Sequence, residues 1–229
     1  MRMGPARICV ACASKTLEGI GPGACRVCSQ ILGADGICPN WLCDDPHRRI
    51  DRIDAIAYLS GALKVRIHRY KYEDMTGWSL IFGRLLVGWL EANADDDPPD
   101  LIVANPTYTG ERPAATGHIE RIVESAAVDD VEQRWAFDVY DPPAVIKTGE
   151  TERSAGRTAA AKRSAAAKLR RLLRIPDRAV TEGRSILIFD DVCTTGSQLD
   201  AVADCLLEEG NASEVRGLVL ARAPWRPRR

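Results

Sequence analysis

Residues 186–198, Ile-Leu-Ile-Phe-Asp-Asp-Val-Cys-Thr-Thr-Gly-Ser-Gln, run from an apolar stretch through two adjacent carboxylates into a hydroxyl-rich turn. Ile186 to Phe189 is the β-branched and aromatic run expected of a strand buried on both faces. The polar residues come at its carboxyl end, where open α/β sheets place their ligands. From Ser197 the period changes. Leu199, Val202, Ala203 and Leu206 recur at helical spacing up to Gly210, a residue suited to the left-handed position after a helix end. The turn therefore opens a helix, whose first unpaired N–H groups face the loop.

Such an N-terminus attracts phosphate through free amide donors and the positive end of the helix dipole. Thr194, Thr195 and Ser197 add hydroxyl donors, and Gly196 lets the backbone approach closely. Asp190 and Asp191 would repel the same phosphate, but as acceptors they suit sugar hydroxyls or a metal-bound group beside it. A ligand with a phosphate at one end and a diol next to it satisfies both halves.

The run Phe-Asp-Asp-Val-Cys-Thr-Thr-Gly-Ser resembles the phosphoribosyl pyrophosphate (PRPP) signature of type I phosphoribosyltransferases. That resemblance implies a parallel-sheet, Rossmann-like α/β domain. It also implies that Asp190 and Asp191 bind the ribose hydroxyls while Thr194, Thr195, Gly196 and Ser197 hold the 5-phosphate, with Val192 and Cys193 completing the PRPP loop.

At the other end of the chain, Cys9-Val-Ala-Cys12, Cys25-Arg-Val-Cys28 and Cys38-Pro-Asn-Trp-Leu-Cys43 put six of the eight cysteines into three short-spaced pairs. Two-residue gaps let both thiolates face one ion, and two such pairs complete a tetrahedral zinc site. Met1-Arg-Met-Gly-Pro is not followed by an apolar run of the signal-peptide kind, so a reducing cytoplasm and zinc are expected in place of disulfides. The preferred site is Cys25, Cys28, Cys38 and Cys43, a structural zinc. Cys9 and Cys12 would support a second, incomplete site with or without His47, or would pair with Cys25 and Cys28 instead.

A cysteine-rich module ahead of a PRPP signature resembles the ComF-type family, named for bacterial DNA-uptake competence. Tyr58 to Tyr72, ending in Lys71 and an aromatic, and Leu218-Val-Leu-Ala-Arg222 are similar to two further segments of that family. The implied organisation is a zinc-binding module over residues 1–50, a phosphoribosyltransferase-like domain over 51–223 and a disordered tail over 224–229. The family's Arg-Gly-Phe-Asn-Gln segment is represented here only by Gly117-His118-Ile119-Glu120. Asn105-Pro-Thr-Tyr-Thr-Gly-Glu-Arg112 follows the strand Leu101-Ile-Val-Ala and reads either as a pyrophosphate loop or as a surface turn.

If the chain is catalytic, the resemblance implies Mg²⁺ bound with PRPP and displacement at C1 through an oxocarbenium-like transition state. Asp190 and Asp191 would orient the ribose, and Arg112 and Lys147 would stabilise departing pyrophosphate. Lys147 and Arg153 flank a segment that reads as a mobile loop. Between Arg153 and Arg174, Arg157, Lys162, Arg163, Lys168, Arg170 and Arg171 alternate with alanines. They form a basic helix that faces DNA, covers substrate, or is simply solvated.

A chain of 229 residues with 45% hydrophobic content can bury one core and carry a small module. Its formal charge of −1 supplies no overall field toward nucleic acid or membrane. Trp78 to Leu90 is too short to span a bilayer and reads as a helix buried along Ile81, Leu85 and Trp89, so no membrane insertion is expected. Asp95 to Asp97 reads as a solvated loop, and Cys193, Cys205 and His68 as packing or surface residues. The readings that remain open are an enzyme, a PRPP- or nucleotide-binding module acting with single-stranded DNA or a DNA-uptake helicase, and a purine-salvage enzyme with a zinc appendage.

Overall fold

The computed structural model describes residues 15–108, 117–151 and 159–225. Two long strands carry it, β6 (Ser185–Cys193) and β7 (Glu214–Arg222), each nine residues. They pair in parallel at the centre of a five-stranded sheet of order β1-β2-β7-β6-β3. β2 (Ile53–Tyr58) and β3 (Leu101–Ala104) extend it in parallel, and the two-residue β1 (Glu18–Gly19) closes one edge in the antiparallel sense. The parallel α/β architecture expected from Ile186 to Phe189 is the one observed. β6 continues past that apolar run, however, so Asp190 and Asp191 lie within the strand.

Strand alternation builds two cores from one sequence run. Leu187 and Phe189 face helices α1 (Gly61–Tyr72), α2 (Trp78–Asn93) and α3 (His118–Asp129), packing with Ile67, Phe82, Leu86 and Ile122. Ile186 and Ile188 face the other way, toward Leu169 of α4 (Ala159–Arg171) and Leu199, Val202 and Leu206 of α5 (Ser197–Glu208). A short hairpin of β4 (Ile146–Lys147) and β5 (Leu173–Arg174) flanks the second core.

Two local expectations differ from the structure. In α2 the buried residues are Ser79, Phe82, Gly83, Leu86, Val87 and Leu90, whereas Ile81, Leu85 and Trp89 are half-buried. The segment is apolar almost all round, so its periodicity cannot choose a face. Gly83 chooses it, because a Cβ there would lie 2.7 Å from the Ala126 nitrogen of α3. After α5 the left-handed residue is Asn211 (φ 53°), one position beyond Gly210. Gly210 is required for space, since a Cβ would sit 2.6 Å from the Leu206 carbonyl and 2.7 Å from Thr181 Oγ1.

The cysteine-bearing segment is joined to the sheet by hydrogen bonds. Ser29 Oγ donates to the Ile53 carbonyl, Ile53 N–H to the Val27 carbonyl, and Gln30 Nε2 to the Ala223 carbonyl. Gln30 Oε1 accepts from the Trp225 amide at 2.9 Å, so the backbone at the start of the expected tail is held. Residues 226–229 lie outside the described residues. Among the described residues, no helix is long and apolar enough to cross a membrane.

Candidate functional site

Asp190 and Asp191 leave opposite faces of β6, and both are nearly inaccessible, at 9% and 2% exposure. Asp190 turns toward the α5 side and lines a small pocket with residues Val192 to Leu199. Its Oδ2 accepts from Asn105 Nδ2 at 2.8 Å and its Oδ1 from the Asp191 amide at 2.8 Å. Asp191 turns toward the α1 and α3 side, where its Oδ2 meets Lys71 Nζ at 2.7 Å and His118 Nε2 at 3.3 Å.

These surroundings separate two chemically identical neighbours. Burial, then the Asp191 charge, pushes Asp190 up to about 7. Asp191 is equally buried, but the His118 hydrogen bond and the Lys71 charge outweigh desolvation and hold it below the usual carboxylate range. Lys71 is likewise held above its ordinary value, since Asp191 and Asp190 together overcome its burial. One carboxylate is held as an anion by the Lys71 ammonium and the His118 hydrogen bond. The other faces the pocket and titrates near neutrality.

The second half of the site is made of backbone. Gly196 adopts φ 87°, and a Cβ there would lie 2.4 Å from Ile53 Cδ1 and 3.0 Å from Leu42 Cδ2, so only glycine fits. It precedes α5, whose N-terminus has no side-chain cap. The Ser197 amide makes a long, 3.4 Å contact to Thr195 Oγ1, and an anion bound there would compete with that contact for the first amides of α5. Thr195 Oγ1 and Ser197 Oγ are 2.8 Å apart beside them, adding hydroxyls to the cradle.

The four sulfur atoms of Cys25, Cys28, Cys38 and Cys43 lie within 4.8 Å of one another. Measured separations are 3.8 Å for Cys25 to Cys43, 3.7 Å for Cys28 to Cys38 and 3.6 Å for Cys38 to Cys43. A tetrahedral zinc with bonds of about 2.3 Å sets its sulfurs about 3.8 Å apart, so the cluster has the dimensions of such a centre. The group can bind a metal such as zinc. Cys28 is drawn down to about 4, first by the hydrogen bond from Cys43 and, against burial, by the Arg222 charge. Cys43 is correspondingly pushed up. His47 is exposed and outside this group, and Cys9 and Cys12 lie outside the described residues.

Of the other residues singled out by sequence, Asn105 reaches Asp190. Lys147 sits on β4 with its ammonium donating to Thr151 Oγ1 at 2.7 Å, and burial lowers its pKa. Arg112, Arg153 and Arg157 lie outside the described residues. Cys193 is buried and accepts from Arg222 at 3.0 Å, while Cys205 is buried in the α5 core. Arg170 is engaged by Asp204 and Glu209, leaving Lys168 and Arg171 exposed on α4. Asp95 pairs with Arg134 and Asp97 with Arg216.

Sequence reasoning assigned no role to three residues that the structure brings to the site: Lys71, His118 and Arg222. Lys71 and Arg222 each close a segment noted for its likeness to a family. His118 follows the glycine at which a missing motif was sought. In each case the segment was visible but the contact was not, because nothing local marks it.

No protein-family model matches the chain, and no curated protein matches it significantly. Fifteen solved chains match by structure. One is an allosteric regulatory enzyme of purine biosynthesis, at 19% identity and TM-score 0.34 over 60% of this chain; the match spans a quarter, 25%, of that chain's length. Another is a hypoxanthine phosphoribosyltransferase from Staphylococcus aureus, at 11% identity and TM-score 0.31 over 69% of this chain and 71% of that one.

Proposed function

We propose that the protein binds PRPP with Mg²⁺ through the β6–α5 loop and acts as a phosphoribosyltransferase-like protein of the ComF kind. The observation that carries this reading is the pocket itself: the Asp190 carboxyl and the residues that open α5 line the same small space. A phosphorylated sugar carries complementary chemistry. The 5-phosphate sits on the first amides of α5 with Thr194, Thr195 and Ser197, and the sugar hydroxyls donate to Asp190.

Asp191 acts from behind the strand, its charge fixed by Lys71 and His118, and favours positive charge developing at C1. Asn105 orients Asp190. The hard oxygen donors of Asp190 and Asn105 would hold Mg²⁺, which would supply positive charge against the pyrophosphate leaving group. Arg112 and Lys147 are proposed to receive that leaving group. Cys25, Cys28, Cys38 and Cys43 are the proposed zinc ligands within a module over residues 1–50, ahead of a domain over 51–223. Thiolates of this kind persist in a reducing compartment, consistent with a cytoplasmic location.

Calorimetric titration of zinc-loaded protein with PRPP and Mg²⁺ tests the reading. Binding by the wild type that is lost in Asp190→Asn, Asp191→Asn supports it. No binding by well-folded wild type refutes it.

A second reading, a non-catalytic module acting with single-stranded DNA or a DNA-uptake helicase, draws on the exposed Lys168 and Arg171 of α4. It requires DNA binding that weakens steeply with salt and is lost in Lys168→Ala, Arg171→Ala.

A further inference from the structure

Arg222 closes β7 with no solvent exposure, and among the described residues no carboxylate pairs with it. Its guanidinium bridges the two halves of the protein. One nitrogen donates to Cys28 Sγ at 3.4 Å. The other donates to the Cys193 carbonyl at 3.0 Å, to Cys193 Sγ at 3.0 Å and to the Thr194 carbonyl. A buried cation without a carboxylate needs another source of negative charge. A zinc ion held by four thiolates carries a net charge of about −2 and supplies it.

A second contact converges on the next peptide. Asn40, buried between Cys38 and Cys43, donates through Nδ2 to the Thr195 carbonyl at 2.9 Å. The carbonyls of Thr194 and Thr195 are thus held by the Arg222 and Asn40 side chains, and that of Cys193 by Arg222 together with the Ala223 amide at 2.9 Å. In a trans peptide the N–H of the following residue points opposite to the carbonyl. Pinning these three oxygens therefore aims the amides of Thr194, Thr195 and Gly196 away from the cysteines, toward the pocket those residues line.

We propose that Arg222, assisted by Asn40, is a positioning residue through which metal in the four-cysteine centre pre-forms the phosphate loop, so that metal retention and ligand binding are thermodynamically coupled. This rests on the functional reading above for the identity of the ligand, but not for the coupling between metal and loop. When the metal leaves, the four sulfurs are no longer held at one centre, and the Arg222 contact to Cys28 and the Asn40 contact to Thr195 loosen. By linkage, a ligand that fastens the loop must raise the affinity for the metal by the same factor as the metal raises the affinity for the ligand, and slower release is the kinetic sign of it.

The test measures withdrawal of zinc from the full chain by a chromophoric chelator, with and without saturating PRPP and Mg²⁺. The expected result is release slowed about tenfold by PRPP in the wild type, and less than about twofold in Arg222→Lys, which keeps the charge but loses the fork geometry. Asn40→Ala should give an intermediate effect and serves if Arg222→Lys does not fold. Equal release with and without PRPP, in wild type that calorimetry shows to bind PRPP, overturns the coupling.

If calorimetry shows no PRPP binding, the functional reading fails, and amide hydrogen exchange on the wild type decides the coupling. Zinc removal should accelerate exchange at Thr194 to Gly196 by about tenfold or more while Ile186 to Phe189 stay protected. Loop exchange that is unchanged, or that rises in step with Ile186 to Phe189, overturns it.

Discussion

The acidic half of the site, on β6, and the loop half that follows it adjoin each other yet are built by different physics. Around Asp190 and Asp191 the determinants are side chains: two carboxylates, the Lys71 ammonium, the His118 imidazole and the amide of Asn105. Around Thr194 to Ser197 they are backbone direction and space, with a left-handed Gly196 wedged against Ile53 and Leu42. The difference teaches that the first half should respond to pH and to loss of a charge partner. The second should be indifferent to pH and intolerant of a single added carbon.

The largest effect is expected in the backbone half. Gly196→Ala must relieve a 2.4 Å approach to Ile53 Cδ1 while holding φ 87°. A stability loss of about 3 kcal/mol by denaturant titration is expected, with PRPP binding abolished at every pH. A loss of binding that recovered on changing pH would blur the distinction between the halves.

In the acidic half, Lys71→Met strands the buried Asp191 charge with only His118 beside it. A loss of about 2 to 3 kcal/mol is expected near pH 7. It should shrink as pH falls and Asp191 is protonated, which chemical denaturation at pH 4 and pH 7 would reveal. A loss of equal size at both values would mean that Lys71 acts by packing alone.

Asp190 yields a smaller effect with a defined sign. Its folded-state pKa, about 7, lies above the ordinary carboxyl value, so the native state holds an extra proton between about pH 4 and pH 7. Its contribution to stability is therefore full below that window and is lost as pH rises through 7. Asp191, shifted down, contributes in the opposite sense: its share is present above the ordinary carboxyl range and is lost as pH falls below it. Asp190→Asn should flatten the decline in stability between pH 5 and pH 8. It should also remove any strengthening of PRPP binding over that range, because the sugar hydroxyls need the ionised form. A binding profile unchanged by the substitution would detach Asp190 from the ligand.

The smallest effect belongs outside both halves. Lys168→Ala with Arg171→Ala should change stability by less than about 0.5 kcal/mol and leave PRPP affinity alone. A marked weakening of PRPP binding would bring α4 into the site and extend the charge-based half beyond β6.

What was legible in advance follows the same division. The backbone half is contiguous: a strand, a glycine turn and a helix start within 13 residues, and each announces itself by local pattern, namely β-branched run, hydroxyls and helical period. The cysteine pairs are legible for the same reason, since the short gaps, two residues in Cys25–Cys28 and four in Cys38–Cys43, are enough to aim two thiolates at one point. The face of α2 was not legible, because an all-apolar segment has no periodicity to read and the choice was made by Gly83 against α3.

The side chains that tune the acidic half were not legible either. Lys71 lies in the last turn of α1, His118 begins α3 and Asn105 follows β3, while Arg222, which holds the loop half, ends β7. They are scattered along the chain and meet only because parallel pairing brings the carboxyl ends of β3, β6 and β7 side by side. The sequence by itself determined the strand–loop–helix cradle and the thiol pairs, because those depend on dihedral preferences and spacing within a few residues. Only the tertiary structure decided which carboxylate faces the pocket, which is held by Lys71 and His118, and how a buried arginine ties the cysteines to the loop, because those depend on strand alternation and sheet order acting over the whole chain.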